Sequence, residues 1–149
     1  MTRTVAREVA VRLCFSILEN PSDPRELLSC VFNEEYYSSL KAEDKLYKEE
    51  PDSKQMEYIT RLVTGVFEHS AELDSYIEKY AVGWQFGRIS RIAVSIMQAA
   101  MFEVLYMPDI PDRAAINEAV ELAKTYESPE TVSFINGVLG SFVRGEVNV

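Results

Sequence analysis

The sequence predicts an all-α protein, a compact bundle of six to seven helices. Three observations lead there. Valine and isoleucine are plentiful but recur at helical steps of three and four; no alternating apolar run is flanked by an Asn-Gly or Asp-Gly turn; and the apolar stripes are separated by Pro, Gly and N-cap residues. With 149 residues and 47% hydrophobic content, the chain can bury a core without disulfides or a structural metal, and it reads as one domain over residues 1–149.

A first helix is expected from about Thr4 to Asn20, burying Val5, Val9, Leu13 and Ile17 and ending at Asn20-Pro21. A second spans about Pro24 to Leu40, with Leu27, Leu28, Val31 and Phe32 on one side and Tyr36 and Tyr37 near its end. Residues 41–55, "KAEDKLYKEEPDSKQ", hold nine charged side chains among fifteen and read as an exposed charged loop. Asp52 or Ser53 then caps a long helix through Met56, Ile59, Val63, Val66, Leu73, Ile77 and Tyr80, a stripe interrupted at Ser70 and stopped by Gly83. Uninterrupted, it would extend about 40 Å.

After "GWQFG", the segment "RISRIAVSIMQAAMFEVLY" is apolar on most of its circumference and is expected at the centre of the bundle. Pro108 and Pro111 break the chain, and Asp112 is placed to cap "RAAINEAVELAKTY". Ser128-Pro129-Glu130 starts the last helix with an N-cap serine, a proline at the first helical position and an acid at the positive helix end; Gly145 is expected to close it.

Composition narrows the function classes. Twenty-four acids against fifteen bases give a formal net charge of −9, which argues against unspecific coating of nucleic acid. Cys14 and Cys30 are expected in apolar, helix-like surroundings and have no CxxC partner, the amino terminus lacks the apolar core of a signal peptide, and no apolar stretch approaches a bilayer span; a reduced, cytoplasmic protein without membrane contact is expected. No GxxxxGK[ST] or GxGxxG loop occurs and the only histidine is His69, so no cofactor, no metal and no catalysis are expected. Glu118 and Glu121 read as ordinary helix carboxylates, the latter paired with Lys124. Cys14 has only a flanking arginine to lower its pKa.

The amino-terminal arginines remain. On a helical wheel Arg3 and Arg7 project within about 40° of each other, whereas Arg12 points nearly opposite to Arg3 and stands four residues after Glu8, a favourable intrahelical pair. Arg3 and Arg7 are therefore expected as a small exposed patch, able to grip two or three phosphates or to stack on unpaired bases.

"DIPDRAAINEAVELAK" (109–124) and "FINGVLG" (134–140), with "ARE" in the first helix, "ELDSYIEKY" at 72–80 and "RIA" in the central helix, resemble the NusB family of bacterial transcription antitermination factors. The resemblance implies two packed helical subdomains and non-catalytic binding of the boxA RNA of ribosomal leader transcripts together with NusE, a ribosomal small-subunit protein, in the transcription elongation complex. It selects neither a monomer nor a homodimer. It further implies that Arg3 and Arg7 fall in an arginine-rich RNA-binding start, and that Tyr80 and Phe134 match aromatic positions of the RNA surface. Asn117 and Asn136 are expected as buried or half-buried amides tying helix ends together.

Two departures bear on affinity. Thr4 and Val5 stand where relatives often carry arginines, and Gln98 where an arginine is common. Weak RNA binding by the chain alone is expected, completed by a basic partner. The rival reading is a helical protein-interaction module that has lost RNA contact. A third, the accessory domain of an RNA cytosine methyltransferase, would need a catalytic domain, for which these residues leave no room.

Overall fold

The computed structural model describes residues 1–148, in two compact units: Met1–Phe67 and a second beginning at Glu68. Among the described residues there are eight α-helices and no strand, one or two helices more than the spacing predicts. The all-α class stands. The extra helices come from two breaks inside segments that read as continuous.

In the first unit, α1 (Arg3–Glu19) is capped by Thr2, whose side chain accepts from the Val5 amide at 3.1 Å. It buries Val9, Leu13 and Ile17 of the expected stripe together with Ala6, Arg7, Ala10, Val11 and Cys14. The first break follows. In place of one helix to Leu40, α2 (Pro24–Val31) ends and α3 (Glu34–Glu43) begins. Asn33 is the cause: its side chain accepts from the amides of Glu35 and Tyr36, and Glu34 and Glu35 sit at the positive end of the new helix. Buried Tyr37 then stacks on Phe32 at 5.7 Å, meets Tyr47 edge-on at 5.8 Å and donates its hydroxyl to the Glu49 carbonyl at 2.8 Å.

Segment 41–55 thus contains the end of α3, a 3-10 turn at Lys45–Tyr47 and the first turn of α4 (Ser53–Glu68), while nearly all its charged side chains stay exposed. Asp52 caps α4 by accepting from the Gln55 amide at 2.8 Å. Arg12 donates to Asp44 at 2.8 Å and reaches Glu8 only at 3.5 Å, so its main partner is 32 residues away. The Asp44 carboxyl is held below its ordinary value by the Leu46 amide and then by Arg12.

The second break falls at His69. The 40 Å helix is not formed; α4 stops at Glu68 and α5 (Ser70–Tyr80) starts afresh after His69, whose backbone lies at φ −106°, ψ 15°. The histidine ring stacks on Tyr106 at 4.3 Å and its Nδ1 lies 3.4 Å from Glu72, which also accepts from the Tyr106 hydroxyl at 2.6 Å. These contacts hold the chain out of helical register where the apolar stripe is interrupted.

The second unit is built around α6 (Arg91–Tyr106), which packs against α5, α7 (Asp112–Tyr126) and α8 (Pro129–Phe142). Residues Ala93–Glu103 are all buried. Ser128, Pro129 and Glu130 start α8 as expected. Asp112 is the first residue of α7 rather than its cap, a position taken by Pro111. Gly145 does not end α8: the helix passes into a π-helical turn, Val143–Val147, that contains it. Replacing Asn33 with alanine should destabilise the chain by about 1 kcal/mol in urea unfolding, with aspartate near neutral. An unchanged N33A midpoint would contradict the capped α3 start.

Candidate nucleic-acid interface

The four residues expected at the interface lie two in each unit. In the first, Arg3 and Arg7 share a face of α1 as the wheel requires, but that face meets α4. The Arg3 guanidinium lies 4.1 Å over the Tyr58 ring and its Nε donates to Gln55 at 2.8 Å; Arg7 lies 5.5 Å from the same ring. Arg3 is half-buried and Arg7 only 5% exposed. The expected exposed pair is therefore corrected: Tyr58, itself buried, draws both cations inward and leaves Arg3 as the one reaching solvent.

In the second unit, Tyr80 sits at the end of α5, half-buried, with its ring edge-on to Phe142 at 6.3 Å. Its hydroxyl donates to Glu146, which also accepts from Lys79 at 2.7 Å. That carboxylate bond raises the Tyr80 pKa, keeping the phenol a donor; Lys79 and then Tyr80 hold the Glu146 carboxyl below its ordinary value. Gly145 permits the arrangement, because a Cβ there would lie 2.7 Å from the Tyr80 Cζ. A glycine assigned to helix termination thus serves close approach.

Phe134 is half-buried on α8 and leans on Trp84, with ring centroids 4.3 Å apart and a 38° tilt. Trp84 is 44% exposed. A turn from Ala81 to Trp84 presents it, closed by the Trp84 amide donating to the Ala81 carbonyl at 3.1 Å. Gly83 supplies the positive φ of 83° that a type II turn needs at its third residue. Sequence reasoning did not select Trp84, although the lone tryptophan between glycines in "GWQFG" was the available signal.

Three further expectations are corrected. Gln98 faces no solvent: it is 1% exposed and donates to Asp74 at 2.7 Å, so its lack of charge removes nothing from a surface. Asn117 and Asn136 are exposed, not buried. Cys30 is exposed on α2, not in apolar surroundings. Cys14 is buried, and desolvation pushes its thiol up to about 12. Glu121 pairs with Lys124 at 2.7 Å as expected. Among the described residues no His, Cys, Asp and Glu group has the arrangement of a metal site, and no helix is long and apolar enough to cross a membrane.

These features define a class: an all-α protein with an arginine pair held inward on a tyrosine in one unit and, in the other, an exposed indole leaning on a half-buried phenyl ring. Residues 4–144 match the NusB family, and the chain belongs to it. It is 40% identical to the transcription antitermination protein NusB of Acetivibrio thermocellus over 97% of this chain and 90% of that one. The structure of T. maritima NusB superposes with a TM-score of 0.78 at 25% identity, covering 97% of this chain and 92% of that one. A structure of antitermination factors NusB and NusE in complex with dsRNA shares the fold, with a TM-score of 0.75 at 21% identity over 95% and 96% of the two chains.

Gly145→Ala should lower stability by about 1–3 kcal/mol through overlap with Tyr80. Adding Tyr80→Ala should cost less than the two single losses summed, and additivity in this cycle would separate the two residues. The Glu146 clamp has a defined pH dependence. A carboxyl with a lowered folded pKa contributes stability above its ordinary 4.5 and loses it as pH falls through the folded value. Protection of the Gly145 and Glu146 amides, referenced to the intrinsic exchange rate at each pH, should therefore fall in acid below that range, and unchanged protection there would contradict the clamp.

Proposed function

We propose that this chain is a cytoplasmic transcription antitermination factor that binds boxA RNA together with NusE and acts without catalysis in the transcription elongation complex. The observation that carries this reading is the 40% identity to a protein of that name over nearly the whole chain. The relative seen with NusE and dsRNA supports the partners.

Arg3, Arg7, Tyr80 and Phe134 supply the contact. Arg3 meets phosphate or a base face; Arg7, behind it on Tyr58, adds positive charge and fixes the ring on which Arg3 lies. Tyr80 offers a ring for a splayed base, and Phe134 contributes through the aromatic pair it forms with Trp84, a stacking contact contributing about 1–3 kcal/mol. The net charge of −9 and the burial of Arg7 make the chain alone a weak binder that requires a basic partner. The same two observations favour, as a second reading, a protein-interaction module without RNA contact.

A titration of boxA RNA across a salt series separates the readings. RNA binding should be weak for the chain alone and tighten on adding NusE, with log K falling against log salt by about 0.7 per phosphate contact. Arg3→Ala should flatten that slope by about one contact. A flat line in the parent chain would favour the interaction module, and tight binding without NusE would overturn the dependence on the partner.

A further inference from the structure

We propose that Trp84 is the outward stacking surface for an unpaired RNA base, and that Phe134 is the positioning ring behind it. The assignment rests on the RNA-binding reading above and names a residue and a ligand group within it.

The two rings are not equivalent. Phe134 is half-buried on α8, and the indole leans on it at 4.3 Å while keeping 44% of its own surface in solvent. A base approaching this part of the second unit meets Trp84 first. The indole is also held. Phe134 supports it from the helix side, and the Ala81–Trp84 turn, with Gly83 at positive φ, fixes the backbone that delivers it. Holding a ring before the ligand arrives reduces the ordering cost of binding. The indole N–H donates to no acceptor among the described residues, which leaves it available to a base edge or a phosphate.

Charge along the two segments that supply the rings favours a nucleic acid over an acidic protein segment, with Glu127, which accepts from the Ser90 hydroxyl at 2.5 Å, the acid fixed against the first of them. In a chain of net charge −9, residues 81–102, which supply Trp84, carry two arginines and no acid; residues 131–145, which supply Phe134, carry Arg144 and no acid. Arg88, Arg91 and Arg144 are all exposed. Glu130, one turn before Phe134, bounds the acid-free run on α8. One turn after Phe134, Gly137 is exposed, with open space where a Cβ would be. Flat aromatic faces beside positive charge suit single-stranded RNA, because every base offers a π-face.

Trp84 is the only tryptophan in the chain, so its emission reports the contact directly. The experiment titrates the full chain with a single-stranded boxA oligonucleotide, with NusE present, following indole emission and, in parallel, the anisotropy of a labelled copy. Emission should be quenched along the same curve as the anisotropy rises. Trp84→Ala, checked for a native melting temperature, should raise the Kd about tenfold, and Trp84→Phe should recover most of that loss. Phe134→Leu should reduce the quench amplitude and Phe134→Tyr restore it, a pattern that a purely structural role would not give. RNA binding with unchanged emission, or parental affinity in the alanine variant, overturns the assignment and leaves the RNA-binding reading intact. Quenching by NusE alone, with no further change on adding RNA, gives the surface to the protein partner and also overturns it. Absence of RNA binding in both channels overturns the assignment and the functional reading together.

Discussion

The second unit depends on one constraint: α6 is shut away from water over eleven consecutive residues, Ala93–Glu103. Large side chains such as Ile96, Met97 and Met101 each contribute on the order of 1.5–3 kcal/mol by burial, and α5, α7 and α8 pack against this helix. A helix buried all round must satisfy every polar group it carries. Ser95 donates to the Arg91 carbonyl at 2.9 Å, Gln98 donates to Asp74 on α5, and among the described residues no buried side-chain nitrogen or oxygen lacks a partner. Desolvation raises the Asp74 carboxyl, and the Gln98 amide partly offsets it. A residue that reads as a lost surface charge is thus a tie between two core helices.

With α6 fixed, α8 becomes the element that sets both aromatic positions of the candidate interface. Phe142, fully buried near its end, takes Tyr76 at 5.2 Å and Tyr80 at 6.3 Å from α5. Phe134, eight residues earlier and about 12 Å away along the helix axis, takes Trp84 from the linker. Tyr80 is clamped by Glu146, and Gly145 allows its close approach. Trp84 is supported from behind and open in front. The two rings therefore differ in freedom, although both reach the surface.

The first unit treats its cations in the opposite way. Tyr58 gathers Arg3 and Arg7, Asp44 takes Arg12, and the amino terminus pairs with Glu49 at 3.2 Å. Positive charge at this end is spent largely on holding α1 to segment 41–55 and to α4. Arg7 is buried and Arg3 and Arg12 are half-buried, so little positive surface is left at this end.

The all-α class, the Ser128 cap, the stripes of α1 and α4, and the Glu121–Lys124 pair were legible because each depends on residues within a few positions of one another. The breaks at Asn33 and His69 were not. A 3.6-residue period persists across an interruption of one or two residues, and only the cap at Asn33 and the Tyr106 stack on His69 show that the helices restart. The candidate site divides in the same way. Local order determined that Arg3 and Arg7 share a face, that Gly83 allows a turn and that Phe134 lies on a helix. Tertiary structure alone decided that this arginine face meets Tyr58, that Gly145 makes room for Tyr80 from 65 residues away, and that Trp84 covers Phe134. The reason is physical: periodicity fixes the direction of a side chain from its own helix, whereas exposure depends on what long-range packing places opposite it.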